Sequence, residues 1–234
     1  MSKLSIVATP IGNLEDITLR ALRTFKECDV IYAEDTRVIS KLLARHEIKK
    51  PLQRLDASTE LKKADEIISR LEAGEKIVFV TDAGTPGISD PGARLVSLIR
   101  ASAEGGSASG GNGNGIKIEV IPGPSAFTAA LSIAGIDATE FAFLGFLPHK
   151  KGRQTALKKI VASEIPVVLY ESPHRILKLL KELAALQVLR VIIARELTKL
   201  YEEILDGEPT ELARKLEEKG AVRGEFVVII EPGS

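Results

Sequence analysis

The sequence predicts an α/β fold with two lobes, and three patterns lead to that prediction. Short runs rich in β-branched residues alternate with segments whose apolar residues recur three and four positions apart, as in strands followed by amphipathic helices. In the first half this alternation predicts a mostly parallel sheet with helices on both faces. In the second half the last strands have little helix between them, which favours a mixed sheet with helices. A stiff Pro-Gly-Pro turn separates the halves, so we expect lobes at 1–122 and 123–234.

Strands and helices follow one another almost without interruption. The strands predicted for the first lobe are 4–9, 29–34, 76–81 and 116–121, and the helices are 16–27, 36–47, 60–74 and 91–102. Those of the second lobe are strands 140–146, 166–172, 189–196, 201–208 and 224–231, and helices 152–162, 173–186 and 210–219. Asp90 with Pro91, and Ser172 with Pro173, are expected to begin two of these helices. The stretch 104–115 is rich in Gly, Ser and Asn, which predicts a flexible surface loop away from any site.

The composition narrows the class of protein. The 234 residues include 32 basic and 32 acidic side chains, so no overall charge draws the chain to nucleic acid or to an anionic membrane. The single cysteine, Cys28, excludes an internal disulfide and favours a reduced, cytoplasmic setting. No apolar run reaches the roughly 18 residues of a spanning helix, and the first ten residues lack the features of a signal peptide. Scattered histidines and a lone glycine in "TPIGNL" argue against a metal site and against NAD.

Unusual loops follow the predicted strands of the first lobe. They read "ATPIGNLED", "AEDTR", "DAGTPGISDPG" and "PGPSA", and such loops gather at the carboxyl edge of a parallel sheet, where ligands bind. Asp82 ends a buried strand, where a carboxylate needs partners that a bound ligand would supply. Gly84 and Gly87 would let the backbone approach that ligand closely. The alternatives are a purely structural Asp82, and a role for Asp35 or Thr36 as a helix cap only.

Seven segments in chain order resemble a known family: "VATPIGNLEDITLRAL", "AEDTR", "TDAGTPGISDPG", "PGPSA", "YESPHR", "ARELTKLYEE" and "GEFVVIIE". Together they are similar to the S-adenosylmethionine-dependent tetrapyrrole methylase superfamily, and within it to the bacterial enzymes that methylate a ribose 2'-hydroxyl of 16S ribosomal RNA. The resemblance runs from the first predicted strand to the last. It implies a two-lobed methyltransferase, usually a homodimer, with S-adenosylmethionine in the cleft between lobes. The implied substrate is a decoding-region cytidine of the small ribosomal subunit.

The resemblance also assigns residues to the cofactor. By motif they are Pro10, Asp82, Ala83, Gly84, Thr85, Ser125, Ala126, Tyr170, Ala194 and Gly224. The stretch 104–115 is longer than the short turn that the family has there. Many relatives also carry a small further domain after the last strand, so we expect part of the RNA-contacting surface to be absent from this chain.

Charged side chains supply the remaining candidates. Methylation of a ribose hydroxyl needs a general base, and the candidates are Glu34, Asp35, Glu171 and Glu196, with Glu34 or Asp35 favoured. Because Arg and Lys bind phosphate oxygens, RNA contacts are expected from Arg37, Lys150, Lys151, Arg153, His174, Arg175 and Lys199. The alternative for the acidic candidates and for Arg37, Arg175 and Lys199 is a structural ion-pair network. For the basic stretch that holds Lys150, Lys151 and Arg153, the alternative is a solvated helix face. Two other functions stay open: methylation of a small tetrapyrrole, and binding of RNA or nucleotide without catalysis.

Overall fold

A computed structural model describes residues 2–104, 116–218, 220 and 222–232. The chain forms two compact units, Met1–Ser125 and Ala126–Ser234, and each is built on its own five-stranded sheet. From residue 105 onward, the loop predicted at 104–115 lies outside the described residues. None of the helices in the described ranges has the length and apolar character that a membrane span requires.

The first unit holds a parallel sheet. Its strands are β1 (Lys3–Val7), β2 (Val30–Ala33), β3 (Leu52–Arg54), β4 (Lys76–Val80) and β5 (Lys117–Ile121). They lie in the order β3-β2-β4-β1-β5, and every pair is parallel. The helices are α1 (Leu19–Glu27), α2 (Thr36–Arg45), α3 (Glu60–Glu72) and α4 (Ala93–Glu104), with a short 3-10 helix at Leu14–Asp16.

Alternating side chains of these strands build a core on each face of the sheet. In β4, Val78 packs with residues of α1 and α2, while Phe79 packs with residues of α3 and α4. Both side chains are fully buried, because a strand that is covered on both faces has no polar side. The predicted parallel sheet with helices on both faces is confirmed.

The second unit holds a mixed sheet, as predicted. Its strands are β6 (Ala142–Phe146), β7 (Val167–Glu171), β8 (Val191–Arg195), β9 (Glu203–Gly207) and β10 (Phe226–Ile230). Their order is β6-β7-β10-β8-β9; β6 and β7 are parallel, and the other pairs are antiparallel. The helices are α5 (Ala126–Ile133), α6 (Arg153–Val161), α7 (Ile176–Ala185) and α8 (Pro209–Glu218). One apolar core joins the sheet to α6, α7 and α8.

One strand and one α-helix were not predicted from the sequence, and neither was the short 3-10 helix at Leu14–Asp16. Strand β3 is only three residues long and follows Pro51, so it shows no clear alternation. Helix α5, "AFTAALSI", is apolar on most sides and therefore lacks the amphipathic period that identified the other helices.

Two predicted helix starts are wrong. Helix α4 begins at Ala93, and the backbone N–H groups of Gly92 and Leu95 donate to the buried carboxylate of Glu60, at 3.0 and 2.8 Å, instead of to Asp90. Glu60 comes from a neighbouring helix, so a local pattern could not identify it. In α7, the backbone carbonyl of Ser172 accepts from the two residues that start the helix, and no side chain caps it.

Candidate active site

Three loops of the first unit meet at the carboxyl edge of its sheet. Thr9 and Gly84 exchange two backbone hydrogen bonds of 2.9 and 3.0 Å. The hydroxyl of Thr85 donates to the carbonyl of Pro124 at 3.2 Å. The loops after β1, β4 and β5 are therefore held together, as the parallel sheet predicted.

Glycine is required where these loops touch. Gly84 has a φ of +75°, a left-handed conformation that residues with a side chain rarely adopt. At Gly123, a Cβ atom would lie 3.1 Å from the Cβ of Ala8, closer than such atoms normally pack. The two glycines thus allow the first and last of these loops to lie against each other and against the loop after β4.

A group of carboxylates lies at the same edge. The Oδ1 atom of Asp82 accepts from the backbone N–H of Asp35 at 3.0 Å, which ties the loop after β2 to the loop after β4. Partial burial raises the pKa of Glu34, and the charges of Asp82 and Asp90 raise it further. Burial is also the main cause that raises the pKa of Asp82. Among the described residues, no Lys or Arg forms an ion pair with Glu34, Asp82 or Asp90.

Asp90 extends this group. The residue is exposed, but its carboxyl group is turned towards the buried Thr81. Burial of that carboxyl raises its pKa to about 6, and the charge of Asp82 adds to the shift. Its predicted role as a helix cap does not account for this environment.

Asp35 has a different environment from Glu34, its neighbour in sequence. Its carboxylate caps α2 by accepting from the backbone N–H of Arg37 at 2.8 Å, and it also accepts from the Arg37 guanidinium. These hydrogen bonds lower the pKa of Asp35 to about 2. Asp35 therefore caps α2, and its candidacy as a general base stays a prediction.

In the second unit, the "YESPHR" segment is fixed by buried ion pairs. The side chain of Glu171 is fully buried and lies 2.7 Å from the Nε of Arg175 and 3.8 Å from a guanidinium nitrogen of Arg153. Arg153 is 3% exposed and donates to Glu182 at 2.9 and 2.6 Å. Such burial is compatible with charge because each charge has a partner.

A second ion-pair cluster fixes the "ARELTK" and "GEF" segments. The ammonium group of Lys199 lies 2.9 Å from carboxylate oxygens of both Glu196 and Glu225. Burial acts to raise the pKa of Glu196, but hydrogen bonds from Lys199 and from the backbone of Glu225 outweigh it and lower the pKa overall. Gly224 has a φ of +103°, and a Cβ there would lie 2.5 Å from the Cγ of Glu196. Only glycine therefore fits over this carboxylate.

Comparison with known proteins matches this architecture. The sequence profile of the tetrapyrrole (corrin/porphyrin) methylases matches residues 3–213. The chain belongs to this family. It is 41% identical to ribosomal RNA small subunit methyltransferase I of Thermotoga maritima, over 98% of each chain. It is 40% identical to the protein of the same name from Neisseria meningitidis serogroup B, over 98% of this chain and 76% of the relative.

Solved structures share the fold of this methylase at low identity. The methyltransferase CobJ has a TM-score of 0.70 at 17% identity, covering 100% of this chain and 95% of its own. A diphthine synthase has a TM-score of 0.69 at 17% identity, covering 98% and 90%. The predicted fold and family are thereby confirmed, and so is the methyl donor, S-adenosylmethionine.

The structure changes the interpretation of several predicted site residues in this methylase. Arg153 was expected on a basic RNA-binding surface, but it is buried against Glu182, so that prediction is wrong for Arg153. Glu171 was a candidate base, but its carboxylate is fully buried and held by Arg175. Arg175 and Lys199 were expected to clamp phosphate, and both are engaged by carboxylates. All four side chains take part in ion pairs, and the expected roles of Glu171, Arg175 and Lys199 stay predictions.

The other predicted residues are distributed over both units. In the first unit Pro10 is buried, Ala83 is exposed and Ser125 is half-buried. In the second unit, Ala126 of α5 and Tyr170 of β7 are half-buried, and Ala194 of β8 is buried. His174, Lys150 and Lys151 are exposed. Within the described residues, no group of three or more His, Cys, Asp or Glu could hold a metal ion.

Sequence reasoning missed the titration of Asp90 and the exposure of Phe146. The signal for Asp90 was present, since three of the four edge loops carry an acidic residue, but its position before a proline favoured the cap. Phe146 is 54% exposed, and the predicted strand at 140–146 did not indicate which of its side chains would face solvent.

Proposed function

We propose that this methyltransferase transfers a methyl group to the ribose 2'-hydroxyl of a decoding-region cytidine, cytidine 1402, in 16S ribosomal RNA of the small subunit. The observation that carries the proposal is the 41% identity, over 98% of both chains, to a protein named ribosomal RNA small subunit methyltransferase I. The family resemblance also supports a cytoplasmic homodimer. These finer assignments are proposals for this chain.

The carboxyl edge of the first unit has the chemistry that the cofactor requires. S-adenosylmethionine carries positive charge on its sulfonium and ammonium groups and supplies the methyl group when bound. Asp82 and Asp90 offer carboxylates without a Lys or Arg ion pair in the described part of the chain. Asp82 and Ala83 are exposed at this edge, so a ligand can reach them from solvent. We assign Pro10 and residues 82–85 to this binding site.

Glu34 is the best candidate for the general base. In the methylation, the ribose oxygen would bond to the methyl carbon while the bond between that carbon and the sulfonium sulfur breaks and leaves a neutral thioether. The proton of the hydroxyl would pass to a carboxylate. A base works best when its pKa approaches the working pH, and the pKa of Glu34 is raised. Asp35 is held by Arg37 and its pKa falls to about 2, so it is a weaker base. We therefore choose Glu34 between the two favoured candidates.

The proposed RNA surface keeps Lys150 and Lys151 but not Arg153. Both lysines are exposed, and no ion pair among the described residues involves either of them. Because the chain has no net charge, a local patch of this size would bind free RNA weakly and with strong salt dependence. An assembled small subunit, recognised also by its shape, is therefore the proposed substrate.

One labelling experiment tests the function. The protein is incubated with methyl-labelled S-adenosylmethionine and, in parallel, with small subunits lacking the modification, naked 16S RNA, and a tetrapyrrole precursor. We expect label in the RNA of the subunits, at a ribose 2'-oxygen. Label only in the tetrapyrrole would overturn the proposal, and cofactor binding without any transfer would indicate a binding module.

A further inference from the structure

Strand β6 contains a bulge that gathers three aromatic rings. Its pairing with β7 shifts register between Phe143 and Phe146, and Gly145 between them has a φ of +62°. In a regular strand, side chains three positions apart point to opposite faces. Here the rings of Phe143 and Phe146 both contact Tyr170, with centroids 5.0 and 5.6 Å away. The bulge has therefore re-aimed Phe146, as bulges on edge strands often do.

The ring of Phe146 packs against neighbouring side chains and is also partly exposed to solvent. Its side chain is 54% exposed, while Phe143 and Tyr170 are half-buried. The guanidinium of Arg175 lies 6.0 Å from the Phe146 centroid. Arg175 is itself fixed by Glu171 at 2.7 Å and by the carbonyl of Leu147 at 2.9 Å. The ring is thus held in place by a rigid neighbourhood and presents apolar surface outward.

Two exposed lysines lie a few positions after Phe146 in the chain. Residues 148–151 form a loop between β6 and α6, and His149, Lys150 and Lys151 are exposed on it. Proteins commonly bind single-stranded nucleic acid with an aromatic ring beside positive charge. The bases stack on the ring, and the phosphates pair with the cations.

We propose that Phe146 is the platform on which an unpaired nucleobase of the substrate RNA stacks, with Lys150 and Lys151 contacting the adjoining phosphates. This inference rests on the proposed RNA substrate and adds a binding residue that the sequence motifs did not indicate.

Enzyme kinetics test the stacking role. Phe146→Ala is expected to raise KM for unmodified small subunits about tenfold, with the calorimetric Kd for S-adenosylmethionine unchanged. Phe146→Tyr, which keeps an aromatic face, is expected to restore the parent KM. Leu144→Ala is the matched control, since Leu144 is 45% exposed on the same strand, and its KM should match the parent.

The salt dependence of RNA binding distinguishes the contribution of base stacking from that of the lysine charges. For a short single-stranded RNA, Phe146→Ala should weaken binding by the same factor at every salt concentration, because a stacked ring releases no counterions. Lys150→Ala with Lys151→Ala should reduce the slope of log Kd against log salt by about one to two.

The failures of the two proposals are distinguishable. An unchanged KM in Phe146→Ala, with the parent enzyme still labelling subunits, would overturn the stacking role alone. A raised KM accompanied by a lower sedimentation coefficient would assign Phe146 to an interface between copies and would also overturn it. A parent enzyme that does not label subunits would overturn the proposed function itself.

Discussion

The two units differ in whether the carboxylates at the ends of their strands form ion pairs. At the carboxyl edge of the first sheet, Glu34, Asp82 and Asp90 lie near one another, and all three have raised pKa values. In the second unit, Glu171 ends β7 and Glu196 follows β8 in segments that look equally acidic in sequence, but each is held by a cation at 2.7 to 2.9 Å. Position at the end of a strand therefore does not tell whether an acidic residue is ion-paired.

The same contrast explains where each unit meets its ligands in our proposals. The first unit gathers negative charge and open backbone, which suit a cationic cofactor. The second unit neutralises its buried charges internally and presents an aromatic ring with exposed lysines, which suit RNA. Ion pairs hold the carboxylates of Glu171 and Glu196 in the second unit. In the described part of the first unit, no Lys or Arg forms an ion pair with Glu34, Asp82 or Asp90.

The largest test of this contrast is Glu34→Gln. Removing the proposed base should lower kcat for methylation of small subunits about a hundredfold to ten-thousandfold, with the Kd for S-adenosylmethionine nearly unchanged. Single-turnover kinetics measures the effect on the chemical step. Asp35→Asn is the matched control, because Asn also caps helices well, and it should keep a kcat close to the parent. Equal losses of kcat in Glu34→Gln and Asp35→Asn would show that Glu34 is not the general base.

A second test addresses the buried ion pairs of the second unit. Arg153→Ala should lower the free energy of unfolding by about 3 to 5 kcal/mol, because it leaves the buried carboxylate of Glu171 with one cation fewer and breaks the pair with Glu182. Chemical denaturation measures this change. Lys158→Ala, at an exposed position of the same helix, should change stability by less than about 0.5 kcal/mol. A similarly small change in Arg153→Ala would show that the cluster is not structural.

Asp82→Asn probes the cofactor site of the first unit. The amide oxygen can still accept from the Asp35 backbone, but the charge is gone, so S-adenosylmethionine should bind about tenfold to a hundredfold more weakly. Isothermal calorimetry measures this loss. Asp65→Asn, at an exposed position of α3, removes the same charge and should bind like the parent. Parent-like affinity in Asp82→Asn would place the cofactor elsewhere.

The smallest expected effect is on the titration of Asp90. In the parent its carboxyl group should lose its proton near pH 6, since its pKa is about 6. Asp82→Asn should move this midpoint to lower pH, because it removes a negative charge that disfavours ionisation. Carbon-13 NMR of the carboxyl resonance measures the midpoint. A midpoint near pH 4 in the parent would mean that the carboxyl is fully hydrated.

The fold was predictable because its signals are local. The alternation of strands and amphipathic helices predicted both sheets, and missed β3 and α5, where the pattern is short or apolar on most sides. The helix starts were less reliable. Glu60 lies 32 positions before Gly92 in the chain, so the carboxylate that receives the first N–H groups of α4 could not be read from the adjacent Asp90.

The sequence by itself determined the family, the parallel and mixed sheets, and the loops that meet at the carboxyl edge of the first sheet. These follow from residue type and spacing along the chain, including the glycines that allow close contact. Only the tertiary structure decided which charges are paired. It buried Arg153 against Glu182, joined Glu171 to Arg175, and left Glu34 beside Asp82. The environment of a charge depends on residues that are distant in sequence, and only the folded chain brings them together.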